Sequence, residues 1–160
     1  PTIQLHRRIW DQSPMRAGWT SLYSRNMTRT LTVAIVDDEA SVRKALNPVL
    51  SASHLPARIY ESGQEFLDSL ASHKPDCVVL DLHMPEMSGH EIQSALKRAD
   101  ESVPVIIITA FDDAEARTKC LAAGARAYLL KPLDEQVLLS AISQCTKPPS
   151  PFDDDHNSAS

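Results

Sequence analysis

Four short stretches hold residue types that could do chemistry together: Asp37-Asp38-Glu39, Asp81, Thr109 and Lys131. Carboxylates placed near one another resist joint ionisation. A pair about 4 Å apart repels by ~4 kcal/mol at an effective dielectric near 20. Three carboxylates beside one lysine keep a net charge of about −2, so such a group either raises a pKa or takes up a cation. All-oxygen donors suit Mg²⁺, which accepts one or two carboxylates and keeps several waters. A metal-bound carboxylate can act as nucleophile toward phosphorus and become an aspartyl phosphate. The metal and an ammonium group would neutralise the phosphoryl oxygens as transfer proceeds. A threonine hydroxyl in reach could recognise the product.

Each position also has a plain role when taken alone. An acid at a strand end commonly caps the next helix, which would account for Asp38 or Glu39. Thr109 alone is a good strand former, and Lys131 alone a solvated charge. What distinguishes the set is the elements that must position it. LTVAIV (31–36), CVVLDL (77–82), VPVIIIT (103–109) and AYLL (127–130) are apolar, β-branched runs that suit buried parallel strands, and ARIY (57–60) is a shorter one. Between them lie segments of helical spacing. The first carries Val42, Leu46, Val49 and Leu50, with Pro48 inside it as an expected kink. The second opens on Ser62 with Glu65 three residues on, a capping-box pattern, and continues through Phe66, Leu67 and Leu70. The third has Ile92, Ala95 and Leu96. The fourth spans 112–123, with Gly124 as its terminator. The fifth is capped by Asp134 and presents Val137, Leu138, Ala141, Ile142 and Cys145.

Strand and helix alternating five times predict a parallel sheet covered on both faces. In such sheets the site lies beyond the carboxyl ends of the strands, at the switch point. Strand one ends in Asp37-Asp38-Glu39, strand three carries Asp81 near its end, strand four ends in Thr109, and strand five is followed by Lys131. The residues with chemistry in them therefore meet on one edge.

Composition narrows the function classes. The 160 residues carry a net charge of −5, against the basic face a nucleic-acid binder needs. No apolar run is long enough to span a membrane. The cysteines Cys77, Cys120 and Cys145 are widely spaced and odd in number, so neither a disulfide framework nor a zinc site is expected, and a reducing, cytoplasmic location fits. Residues 1–29 read as a basic N-terminal extension, flexible or non-native, with Trp10 and Trp19 inside it. Residues 30–146 form the domain, and residues 147–160 read as a Pro-rich, acidic tail.

The ordered set VAIVDDE, VVLDLHMPEMSG, VIIITA and AYLLKPLD resembles the receiver domain of bacterial two-component response regulators, over about residues 31–145. The resemblance implies a flavodoxin-like, doubly wound (βα)5 fold with strand order 2-1-3-4-5. It implies Asp81 as phosphoacceptor, and Mg²⁺ held by Asp37, Asp38, Asp81 and the backbone carbonyl of His83, with Asp38 a direct ligand. It further implies Thr109 and Tyr128 as switch residues, Lys131 as partner of Asp81 and then of phosphate, and a cis peptide bond at Lys131-Pro132. His83 and Phe111 fall where the family varies and where the lifetime of the phosphoryl group is tuned. The segment RIYESGQEFLDSL is similar to receivers of the nitrogen-fixation type, which normally precede a DNA-binding domain.

The expected function is a signalling protein that catalyses only its own phosphorylation and dephosphorylation. A histidine kinase or phosphotransfer protein would supply the phosphoryl group and a downstream protein would read the changed surface. No direct nucleic-acid or membrane contact is expected, and a phosphorylation-dependent homodimer through the helix 4–strand 5–helix 5 face is the family tendency. A stand-alone receiver is expected, the alternative being the receiver portion of a DNA-binding transcriptional regulator. Two further readings are a phosphorylation-independent binding module and an aspartyl-phosphate phosphohydrolase. The latter usually wants a DxD motif at the first strand, whereas here the acids are contiguous.

Overall fold

The computed structural model describes residues 30–147. The expectations for residues 1–29 and for the tail beyond residue 147 lie outside the described residues. Five parallel strands, β1 (Val33–Val36), β2 (Ala57–Tyr60), β3 (Cys77–Asp81), β4 (Val105–Thr109) and β5 (Ala127–Leu130), form one sheet in the order β2-β1-β3-β4-β5. They alternate with α1 (Ala40–Ala52), α2 (Gly63–Ser69), α3 (Gly89–Arg98), α4 (Ala114–Ala122) and α5 (Glu135–Thr146). This is the flavodoxin-like doubly wound fold with strand order 2-1-3-4-5.

Successive strand side chains point to opposite faces, and the sheet sorts its core accordingly. Val33, Ile35, Val79, Ile106 and Ile108 pack with Leu46 and Leu50 of α1 and with Leu138 and Ile142 of α5. Ala34, Val36, Val78, Leu80 and Ile107 pack with Phe66 of α2, Ile92 and Leu96 of α3 and Cys120 of α4. β1, β3 and β4 are buried along their whole length, as central strands with both faces covered must be. The chain leaves β1 toward β2 on one side and returns beyond β1 to form β3, so the switch point falls between β1 and β3.

Helix termini depart from expectation in instructive ways. At α2 the Ser62 hydroxyl accepts from Glu65 N at 3.2 Å, but Glu65 accepts from Glu61 N at 3.0 Å, so the reciprocal half of the box is displaced by one residue. The complete box is at α3: Ser88 Oγ accepts from Glu91 N at 3.2 Å and Glu91 accepts from Ser88 N at 2.7 Å. α4 begins at Ala114 and not at residue 112, because the Asp113 side chain caps it through Glu115 N and Ala116 N. Gly124 takes φ +104°, the left-handed conformation that ends this helix. α1 runs through Pro48, which is exposed, so water can take over the carbonyl that its ring leaves unbonded. On α5, Val137 is half-exposed and so does not join the buried face expected of it.

Candidate functional site

Parallel register brings the carboxyl ends of the central strands level. Val36 pairs with Leu80, Asp81 with Ile108, and Thr109 with Leu130. The next residue along β1 is Asp37, and the next along β5 is Lys131. The four expected stretches therefore converge, and one carboxylate oxygen each from Asp37, Asp38 and Asp81 lies within 4.8 Å of the others. Asp37 and Asp81 are buried and Asp38 is exposed, so the cluster is open to solvent on the Asp38 side.

Lys131 is the cation of the pocket. Its Nζ lies 2.8 Å from Asp37 Oδ2, 3.1 Å from Glu39 Oε1 and 3.4 Å from Asp81 Oδ1. Burial pulls this ammonium down, but its close ion-pair contacts with Asp37 and Glu39 and the charge of Asp81 more than offset it, so it stays protonated. Asp81 goes the other way. Its carboxyl is raised from 3.8 to about 6, first by burial and then by the neighbouring Asp37 charge, against the opposing pull of Lys131 and of the His83 backbone.

Neutralisation of the acids is incomplete in a specific place. Asp37 Oδ1 accepts from Glu39 N at 2.8 Å. Asp37 Oδ2, on a fully buried side chain, has the lysine charge close by but no donor aligned with it. A buried anionic oxygen without an aligned donor is costly. A cation among three carboxylates would relieve it. The donor set is all oxygen and partly open to water, which fits Mg²⁺.

Arg43 of α1 is a member of the site that sequence reading missed. Its guanidinium donates to the Asp37 carbonyl at 2.7 Å and to Glu61 Oε1 at 2.7 Å, holding the turn after β1 against the end of β2. Only its place six residues after Asp37, in the first turn of α1, could have hinted at this. Glu39 is the N-cap residue of α1, yet its side chain makes no capping bond and serves Lys131 instead.

Thr109 is fully buried, and its Oγ1 accepts from Phe111 N at 3.2 Å. The Tyr128 hydroxyl donates to Phe111 O at 3.4 Å, with Arg117 over the ring at 5.1 Å from its centroid. The two expected switch residues thus hold opposite ends of one residue, Phe111. The Phe111 ring is itself 65% exposed and meets the His83 ring edge-on at 5.5 Å. The Lys131-Pro132 bond is cis. Gly89 matters through a close approach of backbone to backbone. A Cβ there would stand 2.7 Å from Asp81 O and 3.0 Å from Leu82 Cα, so α3 begins closer to the end of β3 than any side chain permits. The left-handed residue of that loop is Glu86, with φ 68°.

A doubly wound sheet with an acidic pocket, a lysine and a threonine at its switch edge defines a receiver-type signalling domain. The response regulator receiver domain family model matches residues 33–143, and the chain belongs to that family. It is 40% identical over 112 residues to the transcriptional regulatory protein TdiR of Thauera aromatica, covering 70% of this chain and 49% of that one. It is 35% identical over 121 residues to the response regulator MprA of Mycolicibacterium vanbaalenii, covering 76% of this chain and 52% of the other. It spans about half the length of these curated relatives. Among solved structures, FixJ-N matches with TM-score 0.70 at 32% identity, covering 74% of this chain and 95% of that one. Response regulator StyR matches with TM-score 0.66 at 35% identity, covering 74% and 60% respectively. Among the described residues, no helix is long and apolar enough to cross a membrane.

Proposed function

We propose that Asp81 accepts a phosphoryl group from a histidine kinase or phosphotransfer protein, and that the modified domain presents a changed surface to a downstream protein. The observation that carries this reading is the convergence of Asp37, Asp38 and Asp81 within 4.8 Å with Lys131 beside them. In it, an Asp81 carboxylate oxygen attacks phosphorus, the bond from phosphorus to the donor nitrogen breaks, and Lys131 moves its attraction from the carboxylate to the phosphoryl oxygens. Asp38, Asp37, Asp81 and the His83 carbonyl would hold Mg²⁺, which when bound neutralises charge on the transferring group. Asp37 and Glu39 position Lys131, and Arg43 positions Asp37.

The switch rests on Phe111. When the Thr109 hydroxyl turns to hydrogen-bond the phosphoryl group, Phe111 N loses its acceptor. The loop after β4 is then released, and the hold of Tyr128 on Phe111 O goes with it. A charge change at Asp81 thereby biases the α4–β5–α5 face. Phe111, Leu121, Leu130 and Val137 are exposed apolar residues of these elements and their flanks, which supports a phosphorylation-dependent homodimer there. Sedimentation with and without a phosphoryl mimic tests that step.

A second reading concerns the output. The chain matches about half the length of relatives that include a transcriptional regulatory protein, which favours a receiver that serves a transcriptional regulator over one acting alone. Intact mass after incubation with a small phosphoryl donor, with and without Mg²⁺, tests the central reading. One Mg²⁺-dependent adduct, lost in Asp81→Asn, is expected. A wild type that stays unmodified by donor and by kinase would refute it. Steady turnover of a phosphomonoester would revive the phosphohydrolase.

A further inference from the structure

At the end of the sheet away from Asp81, a cavity of about 290 Å³ lies between the C-terminal ends of α3 and α4 and the start of β4. Gln93 and Lys97 of α3 line it, with Asp100, Glu101 and Ser102 from the connection to β4 and Gly124 from just after α4. Leu96 and Val103 add apolar surface. Gln93 is the unusual member. It is 4% exposed, on a helix face that otherwise buries Ile92 and Leu96. Its Nε2 donates to Cys120 O of α4 at 3.2 Å. That carbonyl can only accept, so the orientation of the amide is fixed and Oε1 is its free end. Oε1 is buried and has no donor.

A buried acceptor without a donor is costly. The backbone does not require it here, because Cys120 O already accepts from Ala125 N at 3.0 Å. An apolar side chain at this position would therefore leave no polar group unpaired. The surroundings of Gln93 favour a positively charged donor. Two helices end at the cavity, and each C-terminus carries partial negative charge. Glu101 is answered by Lys74 at 2.7 Å, whereas Asp100 makes no ion pair among the described residues. Lys97 is the one cation of the lining, and it makes no bond to Oε1.

We propose that this cavity binds a small organic ammonium ion, which donates to Gln93 Oε1 and the Asp100 carboxylate and lays a short carbon stem on Leu96 and Val103. The cavity is at the small end of the range for ligand sites, which suits a head group with a few carbons and excludes a larger body. Bound there, the ion joins the ends of α3 and α4, beside the Gln93–Cys120 bond that already links these helices. The site is independent of any chemistry at Asp81, and its test uses unphosphorylated protein.

The test is titration of the isotope-labelled full chain with butylammonium chloride at constant ionic strength, followed by nuclear magnetic resonance. The side-chain amide signals of Gln93 and the backbone signals of Ser102 and Gly124 should move together and saturate, with a dissociation constant of about 1 mM. Butyltrimethylammonium has the same charge and stem but no N–H, and should bind about tenfold more weakly or worse. Asp100→Asn, a change on an exposed connection, should weaken butylammonium binding several-fold. Gln93→Met should abolish it, read at Ser102 and Gly124, with Cys120 O still held by Ala125 N. Equal binding of the two ions, or wild-type affinity in a folded Gln93→Met, would overturn the assignment. So would the absence of saturation at these signals, which would leave Oε1 to solvent alone. If Gln93→Met does not fold, the comparison of the two ions and Asp100→Asn decide.

Discussion

Replacing Asp81 by Asn should stabilise the metal-free protein. Asp81 is 3% exposed, its carboxyl is raised from 3.8 to about 6, and burial is the largest cause, with Asp37 next. That rise corresponds to about 3 kcal/mol between the two protonation states. The sign follows from proton counting. Below about pH 3.8 the group is protonated in both folded and unfolded chains and imposes no cost. Between 3.8 and about 6 the folded state holds the proton that the unfolded state has lost, so stability falls as pH rises. Above about 6 the carboxylate is charged in both states and the full penalty is present. Asn stands in for the neutral form at every pH, so the difference between the two proteins isolates this group from the other acids. Lys131 loses one partner in the variant but keeps Asp37 and Glu39.

Urea unfolding with a chelator present is the assay. The variant should be more stable by about 1–3 kcal/mol near pH 7.5, and the gap should close near pH 4. Adding Mg²⁺ should then narrow or reverse the gap, because wild type gains about 2.7 kcal/mol at a metal concentration 100 times its dissociation constant. A variant no more stable than wild type near neutral pH without metal, or a gap that persists in acid, would refute the account of the pocket as an unrelieved cluster of charge.

Four other outcomes are expected. Lys131→Met leaves the fully buried Asp37 carboxylate without its cation and should cost about 3–5 kcal/mol in chelator, with partial recovery in Mg²⁺; urea unfolding in both conditions measures it. Gly89→Ala forces a Cβ against Asp81 O and should cost about 1–3 kcal/mol and slow phosphorylation, read by unfolding and by the rate of mass-adduct formation. Ser88→Ala removes the acceptor for Glu91 N and should cost about 1 kcal/mol in the same unfolding assay, with the adduct still forming. Phe111→Ala removes the ring that meets His83 edge-on and, on the proposal that this ring keeps water from the phosphoryl group, should shorten the aspartyl-phosphate lifetime; an unchanged lifetime sinks that role.

The site was legible where chemistry coincides with strand ends, because parallel register is a rule that acts over the whole sheet. Once β1, β3, β4 and β5 are recognised by their apolar runs, Asp37, Asp81, Thr109 and Lys131 must come level, and no pairwise contact needs to be guessed. What stayed hidden depends on which helix residue faces which strand, and on distances of a few ångströms that periodicity does not carry. Arg43 looks like any surface cation on α1 until the turn after β1 folds back toward it. Ser62 and Glu65 have the spacing of a reciprocal cap, as Ser88 and Glu91 do. Yet Glu65 bonds the backbone one residue earlier, a choice made by how the chain enters the helix and not by residue type. Gly89 appears in sequence as one more turn glycine, while its necessity comes from a carbonyl across the loop. A topological rule thus predicts the end of the domain that carries the phosphoryl chemistry, because several strands must agree there. The opposite end, where helix termini meet single strands, follows no such rule.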